Sequence, residues 1–184
     1  MLIERMWRAA MLQASLYEEV ERDERATSQA ALVVLLVAIA TAIGVFLSDA
    51  FGGQRSGASG LVRGLVDGIL SGFVGWVVWS YVSYFVGTQV FGGTATPGEM
   101  LRTIGFAGAP GVLRIFAFVP VLGGLINFVV AIWLLITGIV AIRQALDVST
   151  GKAIGTAIIG WLALVLVAFV VAVITGAIMA VLRL

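Results

Sequence analysis

ATSQAALVVLLVAIATAIGVFLS, residues 26–48, runs without a single charged side chain. Residues 68–98, 115–142 and 153–182 share that property, and a further stretch, 103–118, is interrupted only by Arg114. A helix needs about 20 apolar residues to cross the hydrocarbon core of a bilayer. Four stretches meet that length outright, and the one around Arg114 is borderline. Within lipid every backbone N–H and C=O must be satisfied inside its own segment, so the stretches read as helices. They are too long and too continuously apolar for barrel strands. The fold class is therefore all-α integral membrane, a five-span transmembrane helical bundle. Its expected spans are residues 30–47, 65–91, 100–119, 122–142 and 153–182.

Composition narrows what such a bundle can do. Of the 184 residues 61% are hydrophobic and 11% charged, against roughly 25% charged in soluble domains. Two parts account for the whole length: an N-terminal region, 1–27, and the membrane domain, 28–184. A net charge of +1 with no lysine-rich run argues against nucleic acid as a partner. Cysteine is absent, which removes disulfides, thiolate nucleophiles and sulfur-ligated metals. Histidine is absent as well, and with it the usual general base and metal ligand. No cofactor is expected.

The N-terminal region is not read as a secretory signal, because Glu18, Glu19, Glu21, Asp23 and Glu24 stand where an apolar core should be. In residues 1–17, Ile3, Met6, Trp7, Ala10, Ala14 and Tyr17 recur at three- and four-residue steps. That spacing predicts an amphipathic helix in the headgroup plane, anchored by Trp7 and Tyr17. A helix packed on the cytoplasmic ends of the spans is the other reading, and the two are compatible. In EEVERDER, residues 18–25, Glu18/Arg22 and Glu21/Arg25 are i,i+4 pairs suited to a solvated helix.

Small residues mark the contacts between spans. Gly64, Gly68 and Gly72 stand four apart at the head of the second span, a ridge that lets a neighbouring backbone approach closely. Ala168, Ala172, Gly176 and Ala180 form a second ridge in the last span. Either could face a helix of this chain, a homo-oligomer or another membrane protein. Thr96-Pro97 with Glu99 reads as a helix start, and Pro120 with Gly123-Gly124 as a tight turn. The loop 49–64, rich in Gly and Ser, reads as flexible.

Arginines set the orientation. With five spans and a cytoplasmic N-terminus, the inside collects Arg5, Arg8, Arg22, Arg25, Arg102, Arg143 and Lys152, and the outside only Arg55, Arg63 and Arg183. The positive-inside rule then places the C-terminus outside.

Arg114 is the one charge well inside an apolar stretch. A charge at that depth costs about 2.5 kcal/mol or more, so it faces the bundle, a wet cavity or the interface. It can snorkel to the outer surface, pair with Asp67 or Asp49, or receive an anionic headgroup or solute. Asn127, in the outer half of the fourth span, is a second candidate for polar contact. Ser80, Ser83 and Tyr84 read as packing residues, and Trp76, Trp79, Trp133 and Trp161 as packing or belt residues. No enzyme class fits. A membrane serine protease lacks its histidine, Asp67 has no second membrane aspartate, and no phosphate-binding loop spacing exists.

The stretch IGFAGAPGVLRIFAFVPVLGGLINFVVAIWLL, residues 104–135, resembles the third and fourth spans of the Yip family, membrane proteins named for interacting with Ypt/Rab GTPases. Gly105, Phe106 and Pro110 match that family's glycine, aromatic and proline in type and spacing. The family's tyrosine-glycine-tyrosine is Ile104-Gly105-Phe106 here, so both hydroxyls are missing. The short N-terminal region is similar to that of the prokaryotic branch, which implies a prokaryotic cytoplasmic membrane and gives no ground for Rab binding. The resemblance implies a non-enzymatic scaffold or adaptor in membrane organisation or trafficking. Its competitor is a small-solute or lipid carrier, scramblase-like, using the broken third span and Arg114. In either case the lipid bilayer is the first partner.

Overall fold

The computed structural model describes residues 1–51 and 57–182, and all regular structure among them is helical. In chain order the elements are α1 (Leu2–Ala10), α2 (Ala14–Arg22), α3 (Ala26–Phe51), α4 (Gly57–Gln89) and α5 (Pro97–Ala107). A 3-10 segment, Ala109–Phe118, follows, then α6 (Leu122–Ala145) and α7 (Thr150–Leu182). Among the described residues four segments are long and apolar enough to cross a membrane: Ala26–Phe51, Gly57–Gln89, Pro97–Phe118 and Leu122–Ala145. Arg55 and Arg183 lie outside the described residues. So do the side chains of the expected Ala168, Ala172, Gly176 and Ala180 ridge.

The third stretch is the least regular, and its sequence explains why. Thr96 caps α5, accepting from the Glu99 N–H, while the Glu99 carboxylate accepts from the Thr96 N–H at 2.7 Å. This reciprocal pair satisfies two otherwise orphaned donors. The α-helix then ends at Ala107. Pro110 has no N–H to return to Phe106, and the Gly111 N–H turns to Gly108 instead of Ala107. The Ala107 carbonyl left behind is taken up by the Thr137 hydroxyl of α6 at 2.8 Å. Inside lipid no water could have done this. The chain continues as ten residues of 3-10 helix, far beyond the usual three or four.

That segment lies alongside α3 and runs in the same direction. Gly105 sits against Ala30, Gly111 against Val37 and Gly44 against the Arg114 carbonyl, and the Phe118 ring stacks on Phe51 at 5.7 Å. The contacts climb α3 from its first turn to its last, so α5 and the 3-10 segment together match the full length of α3. At the opposite end, the Thr94 N–H donates to the Leu146 carbonyl and Lys152 to the Phe91 carbonyl. The end of α4, the start of α5, the end of α6 and the start of α7 therefore share one side.

Two glycine expectations change. Gly68 and Gly72 do face α3, at Ala38 and Val34, but a Cβ added at either would sit 3.6–3.7 Å from them, an ordinary van der Waals contact. A Cβ added at Gly64 would meet nothing within 4 Å from another element among the described residues. The tight seam is instead Gly44, Gly105 and Gly111, where an added Cβ would strike a neighbour. The turn at Pro120 also differs. The residue at positive φ there is Val121 (φ 68°, ψ −43°), not a glycine, in a turn closed by the Leu122 N–H donating to the Pro120 carbonyl, while Gly123 is needed because a Cβ there would strike the Ala117 carbonyl. A β-branched residue at positive φ is strained.

The N-terminal region is a hairpin rather than one helix. Leu12 takes a positive φ of 60°, and α2 folds back along α1. Arg5 pairs with Glu19 (2.8 Å) and Asp23 (3.0 Å), and Arg8 with Glu19 (2.6 Å). These long-range pairs appear in place of the expected Glu18/Arg22 and Glu21/Arg25 pairs. Tyr17 is no interfacial anchor. It is fully buried, its hydroxyl donating to the Ala9 carbonyl, because the hairpin closes over it. With Ala9, Leu16 and Val20 it packs against Phe106, Ala107, Ala109 and Ala141 of the bundle.

Arg102 of α5 locks the hairpin down. Its side chain is 8% exposed, and its guanidinium donates to the carbonyls of Val20 (2.9 Å) and Glu21. Those are last-turn carbonyls of α2, which have no partner within their own helix and carry the negative end of its dipole.

Beside that lock, burial first, and then the charges of Asp147 and Glu99, push Glu21 up from 4.5 to about 7. Between pH 4.5 and 7 the unfolded chain has released this proton while the folded one holds it. Stability should therefore fall as pH rises through that window and level off above it. Melting of detergent-solubilised protein across the window checks this. Glu21→Gln should flatten the dependence and melt higher than wild type at pH 8.

Candidate functional site: the cavities around Arg114

Arg114 lies in the second half of the 3-10 segment, its backbone held against Gly44 of α3. Its side chain is partly buried and lines two cavities at once. The smaller, about 140 Å³, is walled by Thr41, Gly44, Val45, Ser48 and Asp49 of α3, Arg114 and Ala117 of the 3-10 segment, and Asn127 of α6. The larger, about 490 Å³, lies inward between α3, α4, α5 and α6. Gly68, Gly72, Gly75, Trp76 and Trp79 of α4 line it together with Gly105 of α5. Thr41 and Arg114 belong to both.

Among the described residues the Arg114 guanidinium makes no hydrogen bond and no ion pair. Asp67 is not brought to it. Asp67 sits on the exposed side of α4, 3.5 Å from Arg63 one turn earlier. The reason is rotational: Gly68 and Gly72 turn toward α3, which points Asp67 away from the cavities. Asp49 and Asn127 do share the smaller cavity with Arg114. Thr41 donates its hydroxyl to the Val37 carbonyl, so its oxygen remains able to accept.

The motif residues of the third span have distinct physical jobs. Gly105 admits both Ala30 of α3 and the Trp76 indole, whose N–H donates to the Leu101 carbonyl at 2.9 Å. Phe106 is fully buried in the core beneath the hairpin. Pro110 forces the change from α to 3-10 geometry. That change alters which way the following residues point, and Arg114 is one of them. The Arg102 lock was missed by sequence reasoning. A plain arginine near a predicted helix start carries no signal of what it will bind.

Helices of this length and apolarity, with a charged group held between them, define a polytopic α-helical membrane protein. The family model described as Yip1 domain matches residues 13–173, and the chain belongs to that family. No curated protein and no solved structure matches it.

Proposed function

We propose that this chain is a non-enzymatic scaffold in membrane organisation, with five crossings and an N-terminal hairpin held at the bilayer surface. Residues 1–27 form the surface unit and 28–184 the membrane domain, with the N-terminus cytoplasmic and the C-terminus outside. One observation carries the reading. The hairpin turns Arg5 and Arg8 inward onto Glu19, Asp23 and Gln29, and leaves Ile3 (81%), Trp7 (66%) and Met11 (51%) exposed. A neutralised charged face and a bare apolar face with a tryptophan suit a helix sunk into the headgroup layer. The alignment of α5 and the 3-10 segment with the whole of α3 favours a full third crossing, and α7 supplies 33 residues for the fifth.

Cysteine labelling tests the topology cleanly, because the chain has no cysteine of its own. Thr150→Cys should react only from the cytoplasmic side, and labelling from outside would remove the five-span arrangement. The carrier reading is favoured by the cavities meeting at Arg114. Purified protein in liposomes separates the two: the scaffold reading expects lipid and solute flux no faster than in protein-free vesicles.

A further inference from the structure

We propose that the smaller cavity binds one phospholipid headgroup of the zwitterionic phosphoethanolamine type, its phosphate on Arg114 and its ammonium on Asp49. This does not depend on the scaffold reading. Arg114 is a guanidinium set between apolar helices without a protein partner among the described residues, and a charge so placed needs a counter-charge or water. Its planar fork of donors matches a phosphate bidentately. Three neutral polar residues line the same cavity, Thr41 and Ser48 from α3 and Asn127 from α6, and can complete the phosphate's hydrogen bonds.

The second charge sets the ligand class. Asp49 lines the same cavity and forms no ion pair with Arg114. Asp49 has an interaction of its own, and a carboxylate's roughly four acceptor sites leave room for an ammonium as well. A headgroup with phosphate alone would meet Arg114 favourably and Asp49 unfavourably. One with a phosphate and a primary amine satisfies both and adds no net charge to a low-dielectric site.

The cavity also opens the right way. Val45 of α3 and Asn127 of α6 are exposed at its rim, on helix flanks that face the lipid. A headgroup can therefore enter sideways while its acyl chains stay in the bilayer. Arg114 lies four residues before Phe118, about 8 Å below the outer end of the segment at ~2 Å per residue. That depth is within reach of a headgroup drawn slightly inward. The Gly44 contact fixes the arginine backbone at the cavity, and the unpartnered side chain is left to close on the phosphate.

The test uses the full chain in mixed micelles with equimolar phosphatidylethanolamine and phosphatidylglycerol, with bound lipid read by native mass spectrometry. Wild type should retain one phosphatidylethanolamine. Arg114→Gln should retain roughly tenfold less, the loss of one charge-assisted contact, and Arg114→Lys should fall between. Asp49→Asn should shift the preference toward phosphatidylglycerol. Inorganic phosphate at millimolar concentration should displace nothing, and displacement by it would mark a solute site and overturn the proposal. Equal retention by wild type and Arg114→Gln, or a wild-type preference for phosphatidylglycerol, would overturn it as well. If Arg114→Gln fails to fold, Asn127→Leu at the exposed rim takes its place, and unchanged retention by that variant overturns the proposal.

Discussion

Arg102→Met should destabilise the protein by roughly 3 kcal/mol or more and release the N-terminal hairpin from the bundle. The side chain is nearly enclosed and donates to carbonyls of both Val20 and Glu21. Hydrogen bonds from a charged donor contribute about 1.5–3 kcal/mol each. Methionine fills much of the space but leaves the end of α2 with unsatisfied carbonyls over a buried cluster. Arg102→Lys should recover part of the loss, because the cation survives and the fork does not. Arg143→Met is the matched control, because among the described residues its side chain makes only a 3.5 Å hydrogen bond to Thr150. The measurement pairs detergent melting with thiol labelling at Leu16→Cys, which is fully buried while the hairpin is docked. Normal melting and an unreactive Leu16→Cys in the Arg102→Met background would show that the apolar cluster alone holds the hairpin.

The second large effect is expected at Gly44. A Cβ there would run into the Arg114 carbonyl oxygen and Ile115 α-carbon, backbone atoms that no rotamer change can move. Gly44→Val should force α3 and the 3-10 segment apart at a cost of about 1–3 kcal/mol or more. It should also displace Arg114 and so weaken lipid retention. Gly64→Ala should do the reverse. A Cβ added at Gly64 would meet nothing within 4 Å from another element among the described residues, and replacing a helical glycine by alanine gains about 0.5–1 kcal/mol. Opposite signs at two helical glycines would separate close approach from simple helix propensity. Equal losses would contradict the seam.

These two residues mark where reading the sequence succeeds and where it stops. The Gly64, Gly68 and Gly72 ridge was visible because its spacing is regular, yet only Gly68 and Gly72 meet α3. Gly44, Gly105 and Gly111 form the tighter seam and have no regular spacing within one helix. Two of them follow a break from α to 3-10 geometry or precede it, so a fixed period cannot find them. Arg114 and Asn127 were singled out by their chemistry, and the fold brings both to one cavity. Asp67 was singled out for the same reason, but the α4 face it shares with Arg63 points elsewhere.

Charge distribution by itself determined that this is a helical membrane protein, and the glycine, aromatic and proline spacing around Gly105 identified its family. Both follow from constraints that act along the chain. Lipid cannot solvate a bare peptide group, so twenty apolar residues in a row have one stable conformation. What only the tertiary structure decided is which partner each buried polar group finds. Arg102 at the end of α2 and Thr137 under the Ala107 carbonyl are pairings across long sequence separations, Tyr17 closes onto Ala9 within the hairpin, and Arg114 is brought to one cavity with Asp49 without pairing to it. Burial obliges such groups to find partners, but helix rotation and the break at Pro110 choose them, and neither is written in any single stretch of sequence.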